Sequence, residues 1–138
     1  MTTEPINVLI FYDEEGIVDY LHRILDLKGY QTFTAMDSSK AMELFKEERP
    51  EICVLDIHLA YSPLDGVQVL AEMKKMNSKA ECIMVTRITD EDKMKEAKRL
   101  GAVDYLLKPV DTKDLIALVN KVAERIEERK STGGQSPR

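Results

Sequence analysis

The chain has no apolar run approaching the roughly 20 residues that a membrane span needs. Its first residues, "MTTEPINVLIFYDEE", also lack the basic start and the cleavage site of a secretory signal peptide. We therefore expect a cytoplasmic protein that has no membrane partner.

Cysteine is scarce, and both copies, Cys53 and Cys82, fall inside apolar runs. That placement predicts reduced core residues of a cytosolic protein, with a disulfide as the alternative. Their spacing matches no zinc motif.

Positive charge is also in short supply, since 20 Lys and Arg residues face 25 Asp and Glu residues, for a net charge of -5. This balance argues against direct binding of nucleic acid by the chain. The absence of a glycine-rich phosphate loop argues against a flavin or nucleotide binder. A composition of 43% hydrophobic and 33% charged residues instead predicts one ordered globular domain.

Apolar runs of strand character alternate along the chain with amphipathic or capped segments of helical character. The predicted strands are 6–12, 30–35, 51–56, 81–86 and 103–108. The predicted helices are 16–29, 38–50, 67–77, 90–101 and 111–130. This alternation predicts an α/β fold, a doubly wound parallel sheet of five strands covered by five helices. We expect one domain over residues 1–130, with 131–138 as a flexible tail or the start of a linker.

Polar residues close four of the predicted strands. Asp13 follows the first strand, Asp56 ends the third, Thr86 ends the fourth and Lys108 ends the fifth. Taken singly, a helix-terminal aspartate, a capping threonine and a solvated lysine explain them as well. In a parallel sheet, however, all four share the edge where ligands bind, and their chemistry is mutually consistent.

Two carboxylates at one edge suit a hard cation such as Mg²⁺. An aspartate can also act as a nucleophile toward phosphorus. The phosphoryl group in transfer carries negative charge on three oxygens, which a metal, Lys108 and the Thr86 hydroxyl would neutralise. The charged Asp56 at the end of a buried strand would thereby gain its partners.

The segments "LIFYDEE", "VLDIHL", "LDG", "IMVT" and "GAVDYLLKP" together resemble the receiver domains of two-component response regulators. The resemblance extends from residue 6 to about residue 127. It implies a flavodoxin-like sheet in the order 2-1-3-4-5 and a cis peptide before Pro109. It also implies Mg²⁺-dependent transfer of a phosphoryl group from a histidine kinase to Asp56.

The same resemblance implies roles for individual residues. Asp13 and Asp56 would bind Mg²⁺ through their side chains and His58 through its main-chain carbonyl, while Thr86 and Tyr105 would form a switch pair. Such a protein assists only its own phosphorylation and dephosphorylation and is not otherwise an enzyme. Implied partners are a sensor histidine kinase or phosphotransfer protein and an output domain or effector of unknown identity. A homodimer through the fourth helix, fifth strand and fifth helix is a further arrangement.

Two residues near the predicted site depart from the family pattern. Tyr12 replaces the first of two adjacent acids, so one outer-sphere metal contact is missing, and Glu14 is a candidate to replace it. Arg87 follows Thr86, where a small residue is usual. It would either cover the phosphoryl group or point to solvent and pair with Asp90 or Glu91.

Two other functions compete with a phosphorylated receiver. A phosphatase of the haloacid dehalogenase type uses similar residues, but it needs a second aspartate where this chain has His58. A degenerate receiver, which signals by protein contact without phosphorylation, is favoured by the loss of the acid at Tyr12. The presence of Asp13, Asp56, Thr86 and Lys108 favours the phosphorylated form.

Overall fold

The computed structural model describes residues 5–12, 14–59 and 62–135, with side chains described up to residue 130. The strands are β1 (Asn7–Phe11), β2 (Gln31–Ala35), β3 (Ile52–Asp56), β4 (Glu81–Thr86) and β5 (Asp104–Leu107). The helices are α1 (Glu15–Leu27), α2 (Ser38–Glu48), α3 (Gly66–Met76), α4 (Glu91–Arg99) and α5 (Thr112–Gln135).

The sheet is parallel throughout, in the order β2-β1-β3-β4-β5. The predicted α/β architecture, with its five strands, five helices and strand order, is therefore confirmed. None of the helices within the described residues has both the length and the apolar character needed to cross a bilayer.

The end of α5 differs from the prediction. The helix continues to Gln135, so the first five residues of the segment predicted as a flexible tail are helical. Extending an existing helix needs no new nucleation, and a glycine inside it costs only about 1 kcal/mol. Residues 136–138 lie outside the described part of the chain.

Alternation along the strands separates the core into two layers, as expected for a pleated sheet. Val8, Ile10 and Val54 face the layer that includes α1 and α5. Leu9 and Leu55 face the layer that includes α2 and α3. Both faces of the central strands are thus buried, which explains why β1, β3 and β4 appear in the sequence as continuous apolar runs.

The two cysteines are neighbours in the second layer. Cys53 of β3 is in register with Cys82 of β4, and both are free and buried. Burial, together with contact to Cys82, raises the pKa of the Cys53 thiol well above its ordinary value. The prediction of reduced core cysteines is confirmed.

Helix α3 begins directly against the end of β3. Asp65 caps the helix in a reciprocal capping box, in which its side chain accepts from the Gln68 amide at 2.9 Å. The next residue, Gly66, donates its amide to the Ile57 carbonyl at 3.1 Å. A Cβ atom at Gly66 would lie 2.3 Å from the carbonyl oxygen of Asp56. A side chain is therefore excluded where the helix meets the strand that carries Asp56.

We expect Gly66→Ala to lower the free energy of unfolding by about 1–3 kcal/mol, because the added methyl group collides with main-chain atoms. Gly16→Ala is the matched control, because a Cβ there meets nothing within 4 Å and Gly16 lies in α1. That variant should be stabilised by about 0.5–1 kcal/mol. Urea denaturation measures both changes, and equal stabilities for the two variants would contradict the close approach at Gly66.

Candidate functional site

The carboxyl edge of the sheet brings together three of the four polar residues predicted to share it. Asp56 ends β3 and Thr86 ends β4, and both are completely buried. Lys108 follows β5 directly, and its main-chain amide donates to the Thr86 carbonyl at 2.7 Å. Asp13 lies outside the described residues, so its predicted place at this edge stays a prediction.

Asp56 is held by two donors, one on each carboxylate oxygen. The Lys108 ammonium donates to Oδ2 at 2.9 Å, and the His58 main-chain amide donates to Oδ1 at 3.0 Å. A buried carboxylate loses its hydration, and a close cation with a second hydrogen bond offsets that loss. The peptide bond between Lys108 and Pro109 is cis, as predicted. Lys108 is thus one of the partners that the sequence predicted for the charged Asp56.

Tyr12 contributes to the site through its ring. The Lys108 ammonium lies 5.5 Å from the centre of the Tyr12 ring, within the range of a cation–π interaction. The Tyr12 hydroxyl donates to Glu14 Oε1 at 3.3 Å, and Glu14 is exposed. The aromatic residue that replaces an acid thus contacts the same lysine that binds Asp56.

The Thr86 hydroxyl is directed toward Asp90, which lies at the start of α4. Thr86 Oγ1 donates to Asp90 Oδ2 at 3.1 Å, with a longer approach of 3.3 Å to the Arg87 carbonyl. The Arg87 main-chain amide donates to the same carboxylate oxygen at 3.0 Å. Thr86 is therefore at the predicted edge, with its hydroxyl committed to a neighbouring loop.

Asp90 also binds the His58 ring, whose Nε2 lies 2.7 Å from Asp90 Oδ1. Burial on its own would raise the pKa of Asp90, but the hydrogen bonds from His58, the Arg87 amide and Thr86 together lower it. Asp90 is thus an anion that can only accept, so His58 carries a proton on Nε2. His58 joins Asp90 through its ring and Asp56 through its amide.

The two remaining candidates at this edge, Arg87 and Tyr105, are both exposed. The contact of Arg87 with Asp90 runs through its main-chain amide. Tyr105 is 40% exposed. Beside the ring lies a cavity of about 120 Å³, whose other lining residues include Met84 and Ala97.

The oxygen donors at this edge suit a hard cation. Asp56 supplies a carboxylate, which is a donor of the type that Mg²⁺ prefers, while the His58 main-chain carbonyl stays a predicted ligand. Among residues 5–12, 14–59 and 62–130, no three side chains of His, Cys, Asp or Glu converge on one metal position. The predicted second carboxylate, Asp13, is outside those ranges. The donor types therefore fit Mg²⁺, while the ligand set stays a prediction.

Sequence reasoning missed Asp90 as a member of the site. Asp90 was expected only as a surface partner for Arg87, at the first residue of the predicted helix 90–101. The Asp90 side chain makes no capping bond to α4. Asp90 lies four residues after Thr86, but this spacing indicates a contact between them only when the path of the β4–α4 loop is known.

Comparison with known proteins places these features in a family. A family model described as the response regulator receiver domain matches residues 8–120. Sporulation initiation phosphotransferase F of Bacillus subtilis is 32% identical over 83% of this chain and 91% of its own length. The regulatory protein PhoP of Bacillus subtilis is also 32% identical, over 88% of this chain, but the chain spans only 50% of PhoP.

Solved structures agree with the sequence comparison. The receiver domain of NtrX from Brucella abortus is 32% identical, with a TM-score of 0.76, and the match covers 85% of this chain and 98% of that domain. A CheY-like receiver domain protein from Methanospirillum hungatei is 25% identical with a TM-score of 0.79, covering 92% of this chain and 98% of its own. The chain is a member of the response regulator receiver domain family of two-component signalling.

Proposed function

We propose that this receiver domain accepts a phosphoryl group on Asp56. The observation that carries the proposal is the buried Asp56 carboxylate at the end of the central strand β3, paired with Lys108 at 2.9 Å. An aspartate carboxylate oxygen is a nucleophile that can attack phosphorus. No other described acid combines complete burial with a lysine partner at this edge.

The transfer forms one bond and breaks one. An Asp56 oxygen bonds to phosphorus while the bond from phosphorus to the donor breaks, which in a phosphohistidine donor is the bond to an imidazole nitrogen. The bonding electrons leave with the imidazole. Lys108 is placed to neutralise charge on the phosphoryl oxygens, and the His58 amide orients the attacking carboxylate. Mg²⁺, when bound, would supply further positive charge to these oxygens.

The donor is proposed to be a histidine kinase or a phosphotransfer protein. Support comes from the similarity to sporulation initiation phosphotransferase F, which the chain covers almost completely. Other relatives, including PhoP, are about twice as long as the region they share with this chain. An output domain or effector that responds to the phosphoryl group is therefore part of the proposal. We also propose that the chain catalyses no reaction other than its own phosphorylation and dephosphorylation.

The cavity beside Tyr105 supports a switching role for that residue. Tyr105 lines this space together with apolar residues of β4 and α4, among them Met84 and Met94, and with the charged Lys98 and Asp104. An inward turn of the ring would fill that space and change the surface formed by α4, β5 and α5. That surface is the proposed contact for an effector or a second copy.

A degenerate receiver is the competing function, and Tyr12 is the observation that favours it. Where the family pattern has an acid, the site has an aromatic ring in contact with Lys108. The acceptor and metal variants described next separate the two functions, because a degenerate receiver takes up no phosphoryl group and needs no Mg²⁺.

Asp56→Asn should abolish phosphorylation by acetyl phosphate and Mg²⁺, because an amide lacks the nucleophilic oxygen anion. Intact-protein mass spectrometry should detect one phosphoryl group on the wild-type chain and none on the variant. Asp114→Asn, which changes an exposed aspartate in the first turn of α5, is the control and should be phosphorylated normally. Unchanged phosphorylation of Asp56→Asn would show that another residue is the acceptor.

Tyr12→Asp should tighten Mg²⁺ binding about tenfold, equivalent to about 1.4 kcal/mol, because it restores a negative charge beside the metal position. Tyr12→Phe keeps the ring that contacts Lys108 and should leave the affinity unchanged. Titration with Mg²⁺, followed by NMR, measures both affinities. Equal or weaker binding by a folded Tyr12→Asp variant would remove Tyr12 as a cause of weak metal binding.

Arg87→Ala should shorten the lifetime of the phosphorylated form about fivefold, or about 1 kcal/mol of barrier. The side chain starts next to Thr86 and is exposed, so it can lie over the entrance and exclude attacking water. Arg87→Gln keeps most of the bulk without the charge and should have a smaller effect. The rate of phosphate release measures the lifetime, and an equal or longer lifetime in Arg87→Ala contradicts shielding.

A further inference from the structure

Asp90 stands at the N-cap position of α4 but does not cap that helix. An aspartate there ordinarily accepts from an amide of the first helical turn, and the Asp90 side chain makes no such bond. It turns back along the chain to the Thr86 hydroxyl, the Arg87 amide and the His58 ring. The Asp90 side chain is only 11% exposed, and its carboxylate oxygens accept hydrogen bonds from residues of the predicted site rather than from its own helix.

Thr86 has a single hydroxyl proton, and two acceptors compete for it. In the structure Thr86 Oγ1 lies 3.1 Å from Asp90 Oδ2, closer than the Arg87 carbonyl oxygen at 3.3 Å, so the carboxylate is the better acceptor. A phosphoryl oxygen on Asp56 would need the same proton, because a hydroxyl donates only one hydrogen bond at a time. Delivery of the Thr86 hydroxyl to the phosphoryl group therefore requires its bond to Asp90 to break.

His58 fixes the position of Asp90 from the other side. Its ring donates to Asp90 Oδ1, while its main-chain amide donates to Asp56 Oδ1. The carboxylate that holds Thr86 is thus anchored to the loop that follows the acceptor strand. A hydrogen bond of 2.7 Å to an ionised carboxylate is among the stronger contacts available to a side chain, so it restrains the position of Asp90.

We propose that Asp90 is a positioning residue that holds the Thr86 hydroxyl away from the acceptor site in the unphosphorylated protein. The inference rests on the proposed phosphorylation of Asp56. Asp90 opposes the active arrangement, because the free energy of its bond to Thr86 must be overcome each time the hydroxyl moves to the phosphoryl group. Loss of the Asp90 side chain should leave α4 intact, since that side chain makes no capping bond.

The test is a titration of the whole chain with beryllofluoride in the presence of Mg²⁺, because this anion mimics a phosphoryl group on aspartate. Asp90→Ala should bind beryllofluoride about fivefold to tenfold more tightly than the wild type, which lies within the range expected for one ordinary hydrogen bond. Asp92→Ala removes an exposed acid two residues along the same helix and should leave the affinity unchanged.

A second pair of variants separates hydrogen bonding from charge. Removal of the Asp90 anion would favour any anionic ligand, whether or not Thr86 is involved. In a Thr86→Val background there is no hydroxyl to release, so only the charge effect remains and Asp90→Ala should gain much less affinity than it does in the wild type. Asp90→Asn keeps an acceptor oxygen without the charge, and it should lie between wild type and Asp90→Ala. It also serves as the test variant if Asp90→Ala does not fold.

The outcomes distinguish this proposal from the proposed function. Equal binding by the wild type and Asp90→Ala overturns the role of Asp90 and leaves phosphorylation of Asp56 standing. An equal gain in the Thr86→Val background also overturns it, since the effect would then be charge alone. Binding of beryllofluoride by Asp90→Ala but not by the wild type supports the proposal and means that Asp90 restrains the Thr86 hydroxyl strongly. No binding by either protein overturns both proposals.

Discussion

Burial of the Asp56 carboxylate is the constraint on which the rest of the site depends. The residue ends the middle strand of a sheet covered on both faces, and none of its surface reaches water. An anion in that position needs compensation, and the fold supplies it from two directions. Lys108 arrives from the strand beyond β4, and the His58 amide arrives from the adjoining loop. The close approach of Gly66 to the Asp56 carbonyl then determines where α3 begins.

The loops after β3 and β4 are joined side chain to side chain, and this makes the site one connected unit. Asp90 binds the His58 ring, the Thr86 hydroxyl and the Arg87 amide, so it touches both loops. Hydrogen bonds therefore connect Asp56, through the amide and ring of His58, to Asp90 at the start of α4. Tyr12 adds a contact to Lys108 from the side of β1, which ties a third element to the same pair.

The sheet could be predicted from sequence because buried parallel strands leave continuous apolar runs, such as that of β4. Every strand and the first four helices begin and end within two residues of the predicted limits. Polar residues at strand ends, Asp56 and Lys108 among them, could be predicted for the same reason, since topology alone brings strand ends together. The role of Asp90 could not, because it depends on how a short loop folds back rather than on any periodic pattern. The contact between Tyr12 and Lys108 likewise depends on ring orientation, which no spacing reveals.

The neighbouring free thiols of Cys53 and Cys82 can report how often the centre of the sheet opens. They face each other across β3 and β4, the strands that end in Asp56 and Thr86, and neither thiol reaches solvent. Because burial keeps the Cys53 thiol protonated, an alkylating reagent can react only after these two strands separate. The rate of alkylation therefore counts openings of the sheet centre without any introduced label. Ligands that bind the closed site at the strand ends would slow that rate in proportion to their occupancy.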